Sequence, residues 1–377
     1  MFRRILPGTA LLALLALLTP ALADDQKPAP STGKTIDLVI CLDTSNSMDG
    51  LIDSAKRKLW DIVNEVGRAK PTPRLRVALF SYGNDGYDPK NGWVRKELDL
   101  TTDLDKVSEK LFALKTHGGT EYVGRVTKAA LDQLDWTKES AALKVLFVCG
   151  NEPATQDPEV QLKPLAEQAV RANVVVNTIY CGDPNHSEAL GWRQFADWSE
   201  GKFMAINQAG AIAIATPYDK QLADLSGQLN RTYLFWGKEA KEKAANQSLQ
   251  DSNAAGAGGG VAAQRAQSKA GANYRLGNCL VERLEEDKNF DVTKIPAEEL
   301  PEEMKKMTPE ERVKHVKGKL AEREKLRDQI NQIGKKQREF IDGERKKVAS
   351  KGEKALDEAV KQVVREQCRK KGIEIPD

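Results

Sequence analysis

Apolar and polar residues along the first two thirds of this chain recur in two distinct periods. Short, largely apolar runs at 35–42 (TIDLVICL), 75–82 (LRVALFSY), 144–149 (KVLFVC) and 174–181 (VVVNTIYC) read as buried strands. Residues 93–98 form a shorter, more polar strand suited to a sheet edge, and 202–206 a last short one. Between them, apolar residues fall at helical spacing. Stretch 49–67 carries Leu51, Leu59, Ile62, Val63 and Val66 on one side, and Leu104, Val107, Leu111 and Leu114 mark the next helix. Further helices are predicted at 122–134, 160–171, 188–199 and 218–233. Strands apolar on both faces, alternating with amphipathic helices, predict an α/β fold: a doubly wound, mostly parallel sheet covered on both sides. Ligands of such folds bind at the C-terminal ends of the strands, where the strand order reverses.

Beyond residue 237 the pattern changes. Residues 253–261 (NAAGAGGGV) are rich in glycine and alanine, and 238–272 read as a flexible linker. Residues 273–377 read as a charged helical region, opened by a short ordered element at 273–289. Thr308-Pro309-Glu310-Glu311 is a capping box with proline at the first helical position. Val313, Val316 and Leu320 follow at spacings of three and four; Arg323 breaks the register, and Leu326, Ile330 and Ile333 resume it. This thin seam suits a helical hairpin or a short coiled coil through which copies associate, and equally a solvated helix leaning on the main domain.

The N-terminus sets the expected compartment. Arg3 and Arg4 precede the apolar run 11–18 (LLALLALL), and Ala21-Leu22-Ala23 offers small residues for cleavage. Residues 1–23 thus read as a signal peptide and 24–33 (DDQKPAPSTG) as a polar leader, so the protein is expected to be exported, periplasmic or secreted. A retained anchor is the weaker reading, because the run is short and Pro20 interrupts it. No later stretch is long and apolar enough for a transmembrane segment in the mature chain. The five cysteines, Cys41, Cys149, Cys181, Cys279 and Cys368, form no CxxC pair, which argues against structural zinc. They read as small buried hydrophobes, with bridges Cys149–Cys181 or Cys279–Cys368 left open.

Charge is uneven. The chain has net charge +3, but 302–372 carries 22 basic and 14 acidic residues, so the rest of the mature chain is acidic. A basic tail on an acidic body predicts an electrostatic partner or contact between the two; the mixed signs give no reason to expect nucleic acid.

The chemistry gathers after the first strand. Asp43-Thr44-Ser45-Asn46-Ser47 is D-x-S-x-S at a strand end, where a carboxylate and two hydroxyls can turn toward one point. Such oxygens suit a small hard cation, Mg²⁺ or else Mn²⁺ or Ca²⁺, and neutral hydroxyls leave it seeking one more anionic oxygen. Gly118-Gly119-Thr120 supplies a second piece: glycines for close backbone approach, then a threonine expected to open the next helix. On these residues the stretch 34–237 resembles a von Willebrand factor A-type (VWA) domain with a metal-ion-dependent adhesion site (MIDAS). The resemblance implies Asp43, Ser45, Ser47 and Thr120 as the metal site and a protein partner that offers a carboxylate. It also implies a six-stranded sheet of order 3-2-1-4-5-6 with the third strand antiparallel. One departure stands out: where the family's third loop offers an aspartate, this chain has Gly150, with Asn151 and Glu152 next to it. The layout also resembles exported bacterial A-type proteins with a charged helical C-terminal extension.

Other candidates read as structural. His117 is a loop histidine near the site rim, and no serine has a nucleophile-elbow context. Gly33-Lys34-Thr35 echoes a phosphate loop but precedes a strand, and Pro28 stands where an earlier glycine is needed. Asp85 and Asp88 fit a polar turn better than a calcium loop, Trp192, Phe195 and Trp198 fit core packing, and the basic runs 345–347 and 369–371 fit solvated helix faces. The expectation is therefore an exported, metal-assisted protein-binding module and not an enzyme. Its alternative is a metal-free assembly scaffold acting through the basic helical region.

Overall fold

The strands predicted from the apolar runs form one six-stranded sheet of order β3-β2-β1-β4-β5-β6. They are β1 (Thr35–Asp43), β2 (Arg74–Tyr82), β3 (Val94–Thr101), β4 (Leu143–Gly150), β5 (Val175–Tyr180) and β6 (Phe203–Ala205). All neighbours run parallel except β2 and β3, which are antiparallel, as the resemblance implied. The computed structural model describes residues 34–205, 214–348 and 356–376. The signal peptide and leader expected at 1–33 lie outside these residues, as does Ile206 of the expected last strand.

Side chains alternate across each strand, and both faces are covered. Ile36, Leu38 and Leu42 of β1 enter the core under α1 (Asp49–Gly67), α2 (Leu104–Ala113) and, further along the sheet, α6 (Asp219–Asn230). Val39 and Cys41 enter the opposite core, under α3 (Val123–Gln133), α4 (Leu162–Arg171) and α5 (Ala189–Trp198). Asp37 is fully buried in mid-strand, where a lone carboxylate would be costly. Arg76 of β2 grips it through Nε and Nη2 at 2.7 and 2.6 Å, and the Thr137 amide donates to it at 2.8 Å.

The predicted linker is corrected. Within 238–272 the chain forms α7 (Ala240–Gly256) and α8 (Gly259–Ala270), and α8 lies against α1 and α6. Small residues explain the close fit: Ala263 and Ala266 are fully buried. Polar residues of this stretch are also buried, because they pair. Arg265 meets Asp105 at 2.6 Å and Asp251 at 2.5 Å, and Lys269 meets Asp251 at 3.0 Å. Tyr274 donates to Asp105 at 2.7 Å.

The C-terminal region folds back on the same body. A short α9 (Leu280–Glu286) precedes α10 (Pro309–Val348), whose capping box forms as read: the Glu311 amide donates to Thr308 Oγ1 at 3.3 Å, and Glu311 accepts from the Thr308 amide at 2.8 Å. Val316, Leu326 and Ile330 of the seam are buried against the chain's own helices. Of the two readings left open, the helix leaning on the main domain is the one observed. Arg323 does not interrupt this packing but anchors it: its guanidinium, fully buried, stacks over Tyr233 at 4.0 Å. Gly334 brings α10 against α8, since a Cβ there would lie 2.5 Å from Gln267 Oε1. The last helix, α11 (Leu356–Lys370), packs on α1 and ties to the sheet through Gln367, which donates to Asn177 at 2.7 Å. Lys371, in the second basic run, donates to Asn173 at 3.0 Å, so part of the basic tail touches its own domain.

All five cysteines are free and buried, so neither candidate bridge forms. Among the described residues no helix is long and apolar enough to cross a membrane.

Candidate metal centre

β1 ends at Asp43, at the mouth of the parallel sheet beside the switch in strand order. Asp43 is fully buried. Its Oδ1 accepts from the Ser45 amide at 2.8 Å, which turns the chain as it leaves the strand. Its Oδ2 is buried without a hydrogen-bond partner among the described residues. The next residues rise toward the surface: Ser45 is buried, Ser47 is exposed, and their hydroxyl oxygens stand 3.0 Å apart. Ser47 donates on to Asn151 Oδ1 at 3.2 Å. Three of the sequence-predicted residues thus line one path from depth to mouth, and Asn151 of the third loop joins them.

Backbone bonds hold the second loop against the first. The His117 amide donates to the Thr44 carbonyl at 3.0 Å, and the Asn46 amide donates to the Gly118 carbonyl at 2.7 Å. The approach requires the two glycines. Both have positive φ, and a Cβ at Gly119 would fall 2.0 Å from the Gly83 carbonyl oxygen, one at Gly118 2.0 Å from Asp85 Oδ2. Asp85 therefore packs on the loop, and Asp88 caps a short turn by accepting from the Lys90 amide at 2.9 Å; both serve turn geometry. Thr120 lies half-buried between Gly119, which faces Ser45, and Glu121. Its hydroxyl makes no hydrogen bond among the described residues. It does not open the helix as expected: α3 begins at Val123, with Tyr122 in the capping position.

Glu121, which sequence reasoning did not single out, lies beside Asp43 at Gly83. It is 7% exposed, its Oε2 has no partner among the described residues, and nothing marks it in the sequence beyond its place after Thr120. Burial raises both carboxyls. It lifts Asp43 well above the carboxylate range, with the Glu121 charge adding to the effect. It pushes Glu121 up to about 7, partly offset by hydrogen bonding from Ser45. The pocket therefore disfavours its own negative charge, and among the described residues no lysine, arginine or histidine pairs with it. A divalent cation would supply the positive charge, and carboxylate and hydroxyl oxygens are the donors that hard cations take. On this test the residues present fit a metal.

Beneath the site, Tyr82 is fully buried and donates to the Cys149 carbonyl at 2.9 Å. Trp192 donates to the Glu152 carbonyl at 2.8 Å. These two rings form the floor beside Gly150. His117 is exposed and holds the loop through its backbone.

The sequence model for the von Willebrand factor type A domain matches residues 37–197. Residues 37–197 form a VWA domain. Solved structures are similar over about half of the chain. The SpRpn10 VWA domain is similar at 16% identity with a TM-score of 0.37, over 48% of this chain and 100% of that one. Proximal thread matrix protein 1 of the mussel byssus, described with a zinc-occupied MIDAS motif, is similar at 14% identity with a TM-score of 0.38, over 47% of this chain. A von Willebrand factor type A protein from Catenulispora acidiphila follows at 17% identity and a TM-score of 0.35, over 47% of this chain. The chain spans 42% of the mussel protein and 40% of the Catenulispora one. No curated protein matches the sequence. VWA domains are in general protein-interaction modules, and the described VWA domain carries its oxygen cluster at the open end of the sheet.

Proposed function

We propose that the chain is an exported protein-binding module, and not an enzyme, whose VWA domain holds a divalent cation on Asp43, Ser45, Ser47 and Thr120. Mg²⁺ is the expected ion, with Mn²⁺ or Ca²⁺ as substitutes. One observation carries the reading: Asp43 Oδ2 is buried and unpartnered, beside a pair of hydroxyls that lead to the surface. Bound there, a cation would offer an attachment point for an anionic oxygen from outside. The chain's own residues do the rest. Asp43 anchors the base of the site, Ser45 and Ser47 carry oxygens toward the mouth, and the glycines of 118–119 hold the Thr120 loop in place. The partner is a protein that presents a carboxylate at this mouth.

Export rests on the pattern of residues 3–23, and the destination is periplasmic or secreted. Association of copies through the α10 seam is not part of the proposal, because Val316, Leu326 and Ile330 are occupied within the chain. The test is capture of envelope or secreted proteins on the immobilised full chain, with Mg²⁺ and then with chelator. A partner retained with Mg²⁺, released by chelator and absent from a Ser45→Ala column supports the reading. Capture that ignores both chelator and Ser45→Ala overturns it and favours the metal-free scaffold.

A further inference from the structure

We propose that Glu121 is the second carboxylate ligand of the cation site, taking the part that a third-loop aspartate would play if a side chain fitted at position 150. The inference rests on the reading of the site as a divalent-cation centre.

The third loop cannot supply the group from Gly150. A Cβ there would fall 2.5 Å from the Tyr82 hydroxyl, 3.0 Å from Trp192 Cη2 and 3.2 Å from Asp43 Oδ2. Neither ring is free to yield: Tyr82 is held by its bond to the Cys149 carbonyl and Trp192 by its bond to the Glu152 carbonyl. Both side chains are fully buried. The floor that β4 would use for an aspartate is filled by aromatic rings.

The second loop supplies a carboxylate instead. Glu121 and Asp43 flank Gly83 from two sides: a Cβ at Gly83 would meet Asp43 Oδ1 at 2.7 Å and Glu121 Cγ at 2.8 Å. The two side chains therefore enter the same space, and only a glycine at 83 leaves room for both. Each is more than nine-tenths buried, and each keeps one buried oxygen, Asp43 Oδ2 and Glu121 Oε2, without a hydrogen bond. Neither forms an ion pair with a lysine, arginine or histidine among the described residues. Two buried carboxylates with an unpaired oxygen each are costly unless a cation joins them. Ligand charge also tunes affinity for hard cations. Two carboxylates should hold a divalent ion more tightly than one carboxylate with hydroxyls, so the ion can be in place before a partner's oxygen arrives.

The test is Mn²⁺ titration of the full chain, followed by the electron paramagnetic resonance signal of free Mn²⁺, for the parent protein, Glu121→Gln and Ser45→Ala. Thermal unfolding of each is recorded with and without Mn²⁺. Expected are one bound Mn²⁺ in the parent and affinity weakened about tenfold or more in Glu121→Gln. Without metal, Glu121→Gln should melt at or above the parent temperature, because a like charge is gone, and should lose the Mn²⁺-induced rise. A Glu121→Gln protein that binds Mn²⁺ as tightly as the parent, while Ser45→Ala does not, overturns the role of Glu121 and leaves the cation centre standing. No binding by the parent overturns both. Glu121→Ala is the second variant should Glu121→Gln melt early; equal Mn²⁺ affinity there has the same contrary meaning.

Discussion

Arg323 donates twice to Thr232, through Nε to Oγ1 at 3.0 Å and through Nη2 to the carbonyl oxygen at 2.8 Å. The contact joins α10 to the turn that follows α6, 91 positions earlier in the chain. Its guanidinium also donates to Cys279 Sγ at 3.4 Å and covers the Tyr233 ring. Arg323→Ala removes the donors and leaves a buried carbonyl unpaired. The expected loss is roughly 2–4 kcal/mol of unfolding free energy, read from urea denaturation. Arg323→Lys should recover only part, since an ammonium cannot reproduce the planar fork.

A chain shortened to end at Gly237 should not yield a stable VWA domain. It would lose α8, which covers α1 and α6, together with Arg265 and its buried partner network. Asp105 would be left in α2 without its counter-charge. The expected outcome is an aggregating or cooperatively unfolded product by circular dichroism and light scattering. A soluble monomer with a sharp melting transition would contradict it.

The two halves of the chain were unequally legible in the sequence. In the VWA half, strands buried on both faces and helices buried on one leave clear periods, so most element ends fall within a residue or two of the observed ones; β3 runs on to Thr101 because its second half still pairs with β2. In 238–272 composition misled. Glycine and alanine suggested flexibility, yet small side chains are what let α8 lie close to α1 and α6. Arg265, Lys269 and Arg323 are charged, yet each is buried because distant residues satisfy it, and those pairings are invisible to local periodicity. At the end of β1, the closeness of Asp43, Ser45 and Ser47 could be read from their spacing. That of Glu121 could not, because only the fold closes its loop over Gly83.

Restoring the family's acid at the third loop should not rebuild the usual site. Gly150→Asp places its side chain against Tyr82 and Asp43. Overpacking of this kind costs about 1–3 kcal/mol. The melting temperature should fall, and Mg²⁺ affinity should not rise. A tighter site with unchanged stability would show that the floor can yield.

Stability should decline in mild alkali. Burial is the main cause that raises every cysteine thiol, Cys368 up to about 12 and Cys41, Cys149, Cys181 and Cys279 in the same direction. A thiol whose folded pKa exceeds its unfolded value of about 8.5 stabilises fully below that pH. The contribution is lost as pH rises from there toward the folded value, by up to roughly 2 kcal/mol per thiol at pH 10. Lys269 acts in the opposite sense. Burial pushes it down to about 8, so above that pH the folded state has released a proton that the unfolded state keeps, and stability rises. Five thiols outweigh one amine. Urea midpoints at pH 7.5, 8.5 and 9.5 should fall, and Cys41→Ala or Cys279→Ala should flatten the fall, whatever their midpoint at pH 7.5. A flat profile in the parent would be the contrary result.

Calorimetric titration of the full chain with Mg²⁺ tests the account most directly. One ion should bind per chain in the parent, and Ser45→Ala, which removes the hydroxyl beside Asp43 and Ser47, should bind none while melting within a few degrees of the parent in chelator. No heat of binding in the parent, or undiminished binding in Ser45→Ala, would contradict the assignment of this oxygen cluster as a cation centre.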